Sequence, residues 1–142
     1  MLDEPCEGLD VEGVEDLWTS LMRRAGSGDG LGVILATNRI EDAERVCDRL
    51  VILDRGRLVL DGQLDDLRER WRRLILRLPE GTEDLGPLPG LVITRHRDGL
   101  IEATTSAWDG SLQQHLPDGA ELVDAFPMAL REIYLAVVGH AS

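Results

Sequence analysis

The opening Leu2-Asp3-Glu4-Pro5 puts two adjacent carboxylates directly after an apolar residue. That arrangement suits the end of a buried strand, which the proline then stops. At such a strand end one carboxylate can hold Mg²⁺ through water while the next polarises an attacking water. The pair does not suit glycoside hydrolysis. Adjacent residues on one strand point to opposite faces, whereas that reaction needs two carboxyls facing each other across a sugar.

Other candidates for chemistry are sparser. All 15 basic residues are arginine, so no Schiff base, lysine base or phosphate-loop lysine can come from these 142 residues. Cys6 and Cys47 are too few for a disulfide framework or zinc site and fit a reduced compartment. Cys6 lies among acids and lacks the positive surroundings of a reactive thiolate. Cys47 reads as a small buried hydrophobe. His96, His115 and His140 lack metal-ligand spacing. Ser20, Ser27, Ser106 and Ser111 have no nucleophile-elbow context. The island Arg68-Glu69-Arg70-Trp71-Arg72-Arg73 reads as the solvated face of a helix. The formal charge of -12 excludes the basic footprint of a nucleic-acid binder, but it leaves a local nucleotide site open. Hydrophobic residues at 43% can build a core. No apolar run approaches the ~20 residues of a membrane span.

The elements that must position Asp3 and Glu4 follow in order. Asp10 is a helix N-cap, and Val14, Leu17, Trp18, Leu21 and Met22 form an apolar stripe at helical spacing. Arg23 and Arg24 suit the last turn. A glycine-rich loop spans Gly26 to Gly30. Leu31 to Thr37 reads as a strand buried on both faces of a parallel sheet. A helix is expected over 40–48, with Ile40, Ala43 and Cys47 on one face. A hairpin follows, with strands 50–53 and 58–60 and the turn Asp54-Arg55-Gly56. A helix covers 63–71. Beyond Trp71 the composition changes. Strands are expected at 74–78, 91–95, 100–105 and 121–125, with a turn at Asp98-Gly99 and a helix over 107–115. A last helix opens at Pro127, the favoured first helical position, and carries Leu130, Ile133, Tyr134, Val137 and Val138 on one face.

The order LDEP, EGLD (Glu7 to Asp10), helix, VILATNRIEDAERVCDRLVIL, DRGRLVLDG resembles the C-terminal half of an ABC transporter ATP-binding subunit over roughly Met1 to Trp71. The resemblance implies an α/β fold: an incomplete P-loop NTPase-type core over 1–71, then a small α+β accessory domain over 72–142. It implies that Asp3 ends the Walker B strand and serves Mg²⁺. It makes Glu4 the catalytic glutamate that orients or activates water. Asp10 becomes the aspartate of the D-loop, a cofactor-binding residue in a loop that communicates across the nucleotide-sandwich dimer. Asn38 stands where the family carries its switch histidine. The helix sequence Leu130-Arg131-Glu132-Ile133-Tyr134-Leu135 resembles the end of exporter-type subunits.

The chain departs from the family in several places. The Walker A loop G-x-x-x-x-G-K-[ST] is impossible without lysine, and no Gly-Gly pair is present to make the signature motif. Asn38 can donate a hydrogen bond but never carries charge. Cys6 and Glu7 stand where the family usually has Thr and Ser. The chain is therefore expected to be an N-terminally truncated ATP-binding subunit, with ATP and Mg²⁺ as family cofactors that it does not bind tightly alone. Its expected partners are a membrane subunit and a second ATP-binding subunit, with no nucleic acid, at the cytoplasmic face of the membrane. The alternative is a non-catalytic module that pairs with an intact ATP-binding subunit.

Overall fold

The computed structural model describes residues 1–28, 30, 32–82, 85–97 and 99–140 of the chain, a mixture of helix and strand. It forms two compact units, Met1–Cys47 and Asp48–Ser142.

The first unit runs β1 (Leu2–Asp3), α1 (Val11–Ala25), β2 (Leu35–Ala36) and α2 (Ile40–Val46). β1 and β2 are parallel, with Leu2 beside Leu35 and Asp3 beside Ala36. α1 starts where the sequence predicts, because an Asp10 carboxylate oxygen accepts the Gly13 N–H at 2.8 Å. Trp18 is buried, Val14, Leu17 and Leu21 are half-buried, and Met22 is exposed, so the apolar stripe is narrower than expected. α2 stops at Val46, two residues short of the expected end, because Cys47 turns extended.

The strand expected over Leu31 to Thr37 contracts to Leu35–Ala36, and Leu31 itself lies outside the described residues. A parallel strand is held by neighbours on both sides, and among the described residues β2 pairs only with β1. Met1, Val33 and Ile34 are left exposed, at 87%, 42% and 67%. Apolar groups beside open strand edges favour pairing with another chain. The purified chain is therefore expected to self-associate, with a sedimentation boundary that broadens and shifts as concentration rises. A sharp monomeric boundary at every concentration would contradict this.

In the second unit, β3 (Arg49–Asp54) and β4 (Arg57–Gln63) form the expected hairpin. Arg55 and Gly56 have φ of 48° and 76°. Two left-handed residues in a two-residue loop match the right-handed twist of the paired strands. Arg49 forks onto Asp61 across the hairpin, with contacts of 2.9 and 2.8 Å. α3 (Leu64–Arg70) follows. β5 (Arg72–Arg77), β6 (Leu91–Arg97), β7 (Leu100–Thr105) and β8 (Glu121–Pro127) then build an antiparallel sheet in the order β6-β7-β5-β8. Asp98 of the expected turn lies outside the described residues. Leu74 and Leu76 of the inner strand β5 pack with Leu85, Leu88, Ile101, Ala103 and Leu112. A second core joins Leu67 and Trp71 to Met128 and to Ile133 and Ala136 of α4 (Leu130–His140).

That second core explains why the compact units divide after Cys47 and not at the compositional change near Trp71. Trp71 is 4% exposed and ties α3 to the C-terminal helix. Two expected helices also change. Over 107–115 only a four-residue 3₁₀ turn, Leu112–His115, survives. Asp109 takes the Ser111 N–H and hydroxyl, at 2.8 and 2.7 Å, and Gly110 has φ of 81°, which together break the helix. The final helix opens at Leu130, not at Pro127, which instead pairs with Arg72 at the end of β8. The start is set by Glu132, which reaches back to accept the Ala129 N–H at 2.8 Å.

Among the described residues three carboxylates are held below their ordinary values by donors. Arg45 acts on Glu15, Arg49 on Asp61, and the Ser111 hydroxyl and N–H on Asp109. A depressed folded-state value stabilises the fold above the unfolded value and loses that contribution as pH falls through the folded one. The urea midpoint is therefore expected to hold from neutrality to about pH 5 and then fall. All three carboxylates are exposed, so the decline should be gradual. A midpoint that rises with acidification would contradict this.

Candidate functional site

β1 ends at Asp3, and the next residue adopts a left-handed backbone, with φ of 42° at Glu4. This conformation is costly for a residue with a side chain and persists only where neighbours over-determine it. Here they do. The Glu4 N–H donates to the Ala36 carbonyl at 2.8 Å, continuing the parallel ladder. Its carboxylate then reaches the residues after β2. One oxygen accepts the Asn38 backbone N–H at 2.8 Å, and the other accepts the Thr37 hydroxyl at 3.3 Å. The Thr37 Oγ1 in turn accepts the Arg39 N–H at 3.1 Å. The chain reverses after Glu4 through a turn closed by the Glu7 N–H on the Glu4 carbonyl, 3.0 Å.

Of the residues singled out by sequence, Glu4 and Asn38 thus meet directly. The contact uses the backbone of Asn38, and its side chain is exposed. Asp3 is exposed, and among the described residues its carboxylate has no hydrogen-bond or ion-pair partner. Asp10 lies six residues beyond Glu4, and its carboxylate caps α1.

These residues fit a bound Mg²⁺ in one respect. Mg²⁺ is often held by one or two carboxylates with waters and substrate phosphates, and Asp3 offers a free carboxylate for that. Among the described residues no group of three or more His, Cys, Asp or Glu is placed to cage a metal. The residues do not fit a triphosphate. The glycine-rich stretch begins at Gly26, which caps the C-terminus of α1, where the helix dipole presents negative carbonyls. Phosphate loops use the opposite end of a helix. Asp29 and Leu31 of that stretch lie outside the described residues.

Cys47, expected to be buried, is less so than Cys6. Cys6 is the buried one, at 4% exposed, and Cys47 is half-buried. Burial pushes the Cys6 thiol above its ordinary value, and the Asp42 carboxylate adds to the effect. Both favour the neutral thiol, in line with the expected lack of reactivity. The basic island has structural partners. Arg72 donates to the Arg68 and Trp71 carbonyls at 2.6 and 2.9 Å, and Arg73 pairs with Glu132 at 3.1 Å. His96 is exposed, His115 lies near the Ser111 carbonyl, and the side chain of His140 is outside the description.

Sequence reasoning missed Thr37 and Asp42. Thr37 follows a strand and gave no pattern. Asp42 reads as a first-turn acid suited to a helix dipole, yet it is 5% exposed.

No family model matches the chain. It is similar to the daunorubicin/doxorubicin resistance ATP-binding protein DrrA of Streptomyces peucetius, 30% identical over 98% of this chain and 46% of the relative. It is similar to the molybdenum import ATP-binding protein ModC of Mycobacterium tuberculosis, 30% identical over 94% of this chain and 35% of the relative. It is also similar to the thiamine import ATP-binding protein ThiQ of Jannaschia, 44% identical over 45% of this chain and 28% of the relative. The chain spans less than half the length of each of these relatives.

Proposed function

The chain belongs to the ATP-binding proteins of ABC transporters, of which it matches a part, and from this we propose that it supplies the hydrolytic side of an ATP-binding subunit. The observation that carries the reading is the Glu4 carboxylate, pinned by the Asn38 N–H and the Thr37 hydroxyl where β1 and β2 end side by side. In this reading Glu4 orients and activates the attacking water. A carboxylate held from behind by two donors keeps its remaining lone pairs for that water. Asp3, exposed and unpaired, is the residue that would hold Mg²⁺ through water. When bound, Mg²⁺ supplies charge neutralisation for the phosphates. Asn38 keeps the switch position with a neutral side chain. Asp10 stiffens the first turn of α1 behind the D-loop, whose role is contact with a second ATP-binding subunit.

The phosphate cradle has to come from outside these 142 residues, because lysine is absent and the glycine-rich stretch sits at the wrong helix end. ATP is accordingly not held tightly by this chain alone. The partners are a membrane subunit and a second ATP-binding subunit, which would place the chain on the cytoplasmic face of the membrane. Among the described residues no helix is long and apolar enough to cross a membrane. The relatives named above include one called a resistance protein and two called import proteins. We favour export, on the relative covering 98% of the chain and on the Leu130–Leu135 pattern. Residues 1–71 are read as the end of the ATPase domain and 72–142 as an accessory domain with no reaction of its own.

A second reading is favoured by Asn38, Cys6 and Glu7, which relax the demands of catalysis. In it the chain is a non-catalytic module paired with an intact ATP-binding subunit. ATP turnover of a complex assembled on the chain separates the two. Loss on Glu4→Gln supports the hydrolytic reading, and turnover indifferent to Glu4→Gln supports the module.

A further inference from the structure

The Asp48–Ser142 unit carries an open groove of about 660 Å³, in which Glu4 and its neighbours take no part. Small-molecule sites occupy about 300–1,000 Å³, so the groove is of a size to take one. Four elements meet there. Leu60 of β4, Leu67 of α3, Trp71, Val92 of β6 and Val137 of α4 make its walls apolar, and the same side chains belong to the second core or pack against it. One edge is charged. Asp66 and Arg70 stand four residues apart on α3, so they share a helix face, and both line the groove. An acid and a base at that spacing commonly pair, yet among the described residues neither side chain has a hydrogen bond or ion pair. Charges close by are matched. Arg68 lies 3.8 Å from Asp65, and Asp61, the other acid of the groove, is held by Arg49 at 2.8 Å. The Arg70 carbonyl accepts the Trp108 N–H at 2.9 Å, which ties down the end of α3 and leaves the guanidinium free.

We propose that this groove binds a small zwitterion with an apolar body, the chemistry of an apolar amino acid: the carboxylate meets Arg70, the ammonium meets Asp66, and the body lies against Trp71, Val92 and Val137. The guanidinium fork matches the plane of a carboxylate. A carboxylate without an ammonium is disfavoured, because Asp66 stands beside it and the chain carries a formal charge of -12. An amine without a carboxylate leaves Arg70 facing a second cation. A molecule with both ends satisfies both side chains and brings no net charge. It touches α3 and α4 at once, so its binding stabilises their contact by mass action. The site does not depend on the hydrolytic reading.

The test is an NMR titration of the full chain with three probes: L-phenylalanine, 3-phenylpropionate, which lacks its ammonium, and phenethylamine, which lacks its carboxylate. L-phenylalanine is expected to shift the amides of Gly62, Trp71 and Val92 and to saturate. Each of the other two should bind about tenfold more weakly, the scale of one charged hydrogen bond. Arg70→Gln should remove the preference for L-phenylalanine over phenethylamine, and Asp66→Asn the preference over 3-phenylpropionate. Both residues are exposed, so these variants should keep the fold. Arg68→Gln, on the same helix but outside the groove, should leave all three affinities unchanged. The proposal is overturned if L-phenylalanine gives no saturable shift at those amides, if either truncated probe binds as tightly, or if the Arg70 and Asp66 substitutions leave the preferences intact. It is equally overturned if the groove amides shift with chain concentration in the absence of any probe, since a second copy of the chain then fills the groove.

Discussion

Glu4→Gln is expected to lower ATP turnover of a complex assembled on this chain by about 10²- to 10⁴-fold, the usual contribution of a positioned acid or base. The substitution is close to isosteric. A glutamine carbonyl can still accept the Asn38 N–H that the carboxylate accepts at 2.8 Å. Its amide group can still meet the Thr37 hydroxyl, now as donor to that oxygen. The Glu4 N–H to the Ala36 carbonyl is a backbone bond and is untouched. What disappears is the negative charge and the basic lone pair that would take or orient a proton from water. Folding should therefore change by less than about 1.5 kcal/mol, the scale of one hydrogen bond. The measurement is steady-state phosphate release by both complexes at saturating ATP, with urea unfolding of the two free chains as control. Equal turnover with equal stability would remove Glu4 from the chemistry.

The second large effect is on stability. Leu74→Ala is expected to cost the Asp48–Ser142 unit about 2–5 kcal/mol. Leu74 is 0% exposed on an inner strand of the sheet, packed with Leu76, Leu85, Leu88, Ile101, Ala103 and Leu112. Its neighbours are fixed by register on both sides, Ala103 on β7 and Ala125 on β8, so the cavity has little room to collapse. A unit of this size unfolds with a total of about 5–15 kcal/mol, so the loss is a large share. The melting temperature should fall by about 4–8 °C for each kcal/mol. Leu135→Ala provides the contrast. Leu135 is 59% exposed on α4, and its truncation should stay within about 0.5 kcal/mol. Thermal unfolding followed by circular dichroism checks both. Equal small shifts for the two variants would mean that the sheet core is not where the structure puts it.

The parts of this fold that were legible in the sequence are those with a local cause. β7 occupies residues 100–105 as expected, and the hairpin turn falls at Arg55 and Gly56, because strand propensity and turn chemistry act over a few residues. Asp10 was legible as an N-cap for the same reason. What escaped has a cause elsewhere in the chain. Pro127 suits a first helical turn, but it suits the end of an outer strand equally well, since β8 lies at one side of the sheet and needs no further N–H there. Trp71 marks a compositional boundary, yet its indole is claimed by the C-terminal helix. β2 reads as a full strand because its residues are apolar, but strand length depends on the partners that pair with it. At the candidate site, Asp3 and Glu4 stood out in the sequence as adjacent acids after an apolar residue, and Asn38 only through the family resemblance. The reason Glu4 meets residue 38 was not legible, because the donor is a backbone N–H that every residue type except proline carries. Asp42 was hidden too: it lies in the first turn of α2 and is 5% exposed, and nothing in its sequence neighbours marks it as buried.

The central claim is that this chain carries hydrolytic acids without a phosphate cradle. The most direct test is a calorimetric titration of Mg·ATP into the purified chain. With no lysine and a glycine-rich stretch at a helix C-terminus, no saturable binding is expected below about 1 mM, near 4.1 kcal/mol of affinity. Micromolar binding of Mg·ATP by the chain alone would contradict the account, since these residues would then hold the triphosphate by some other means.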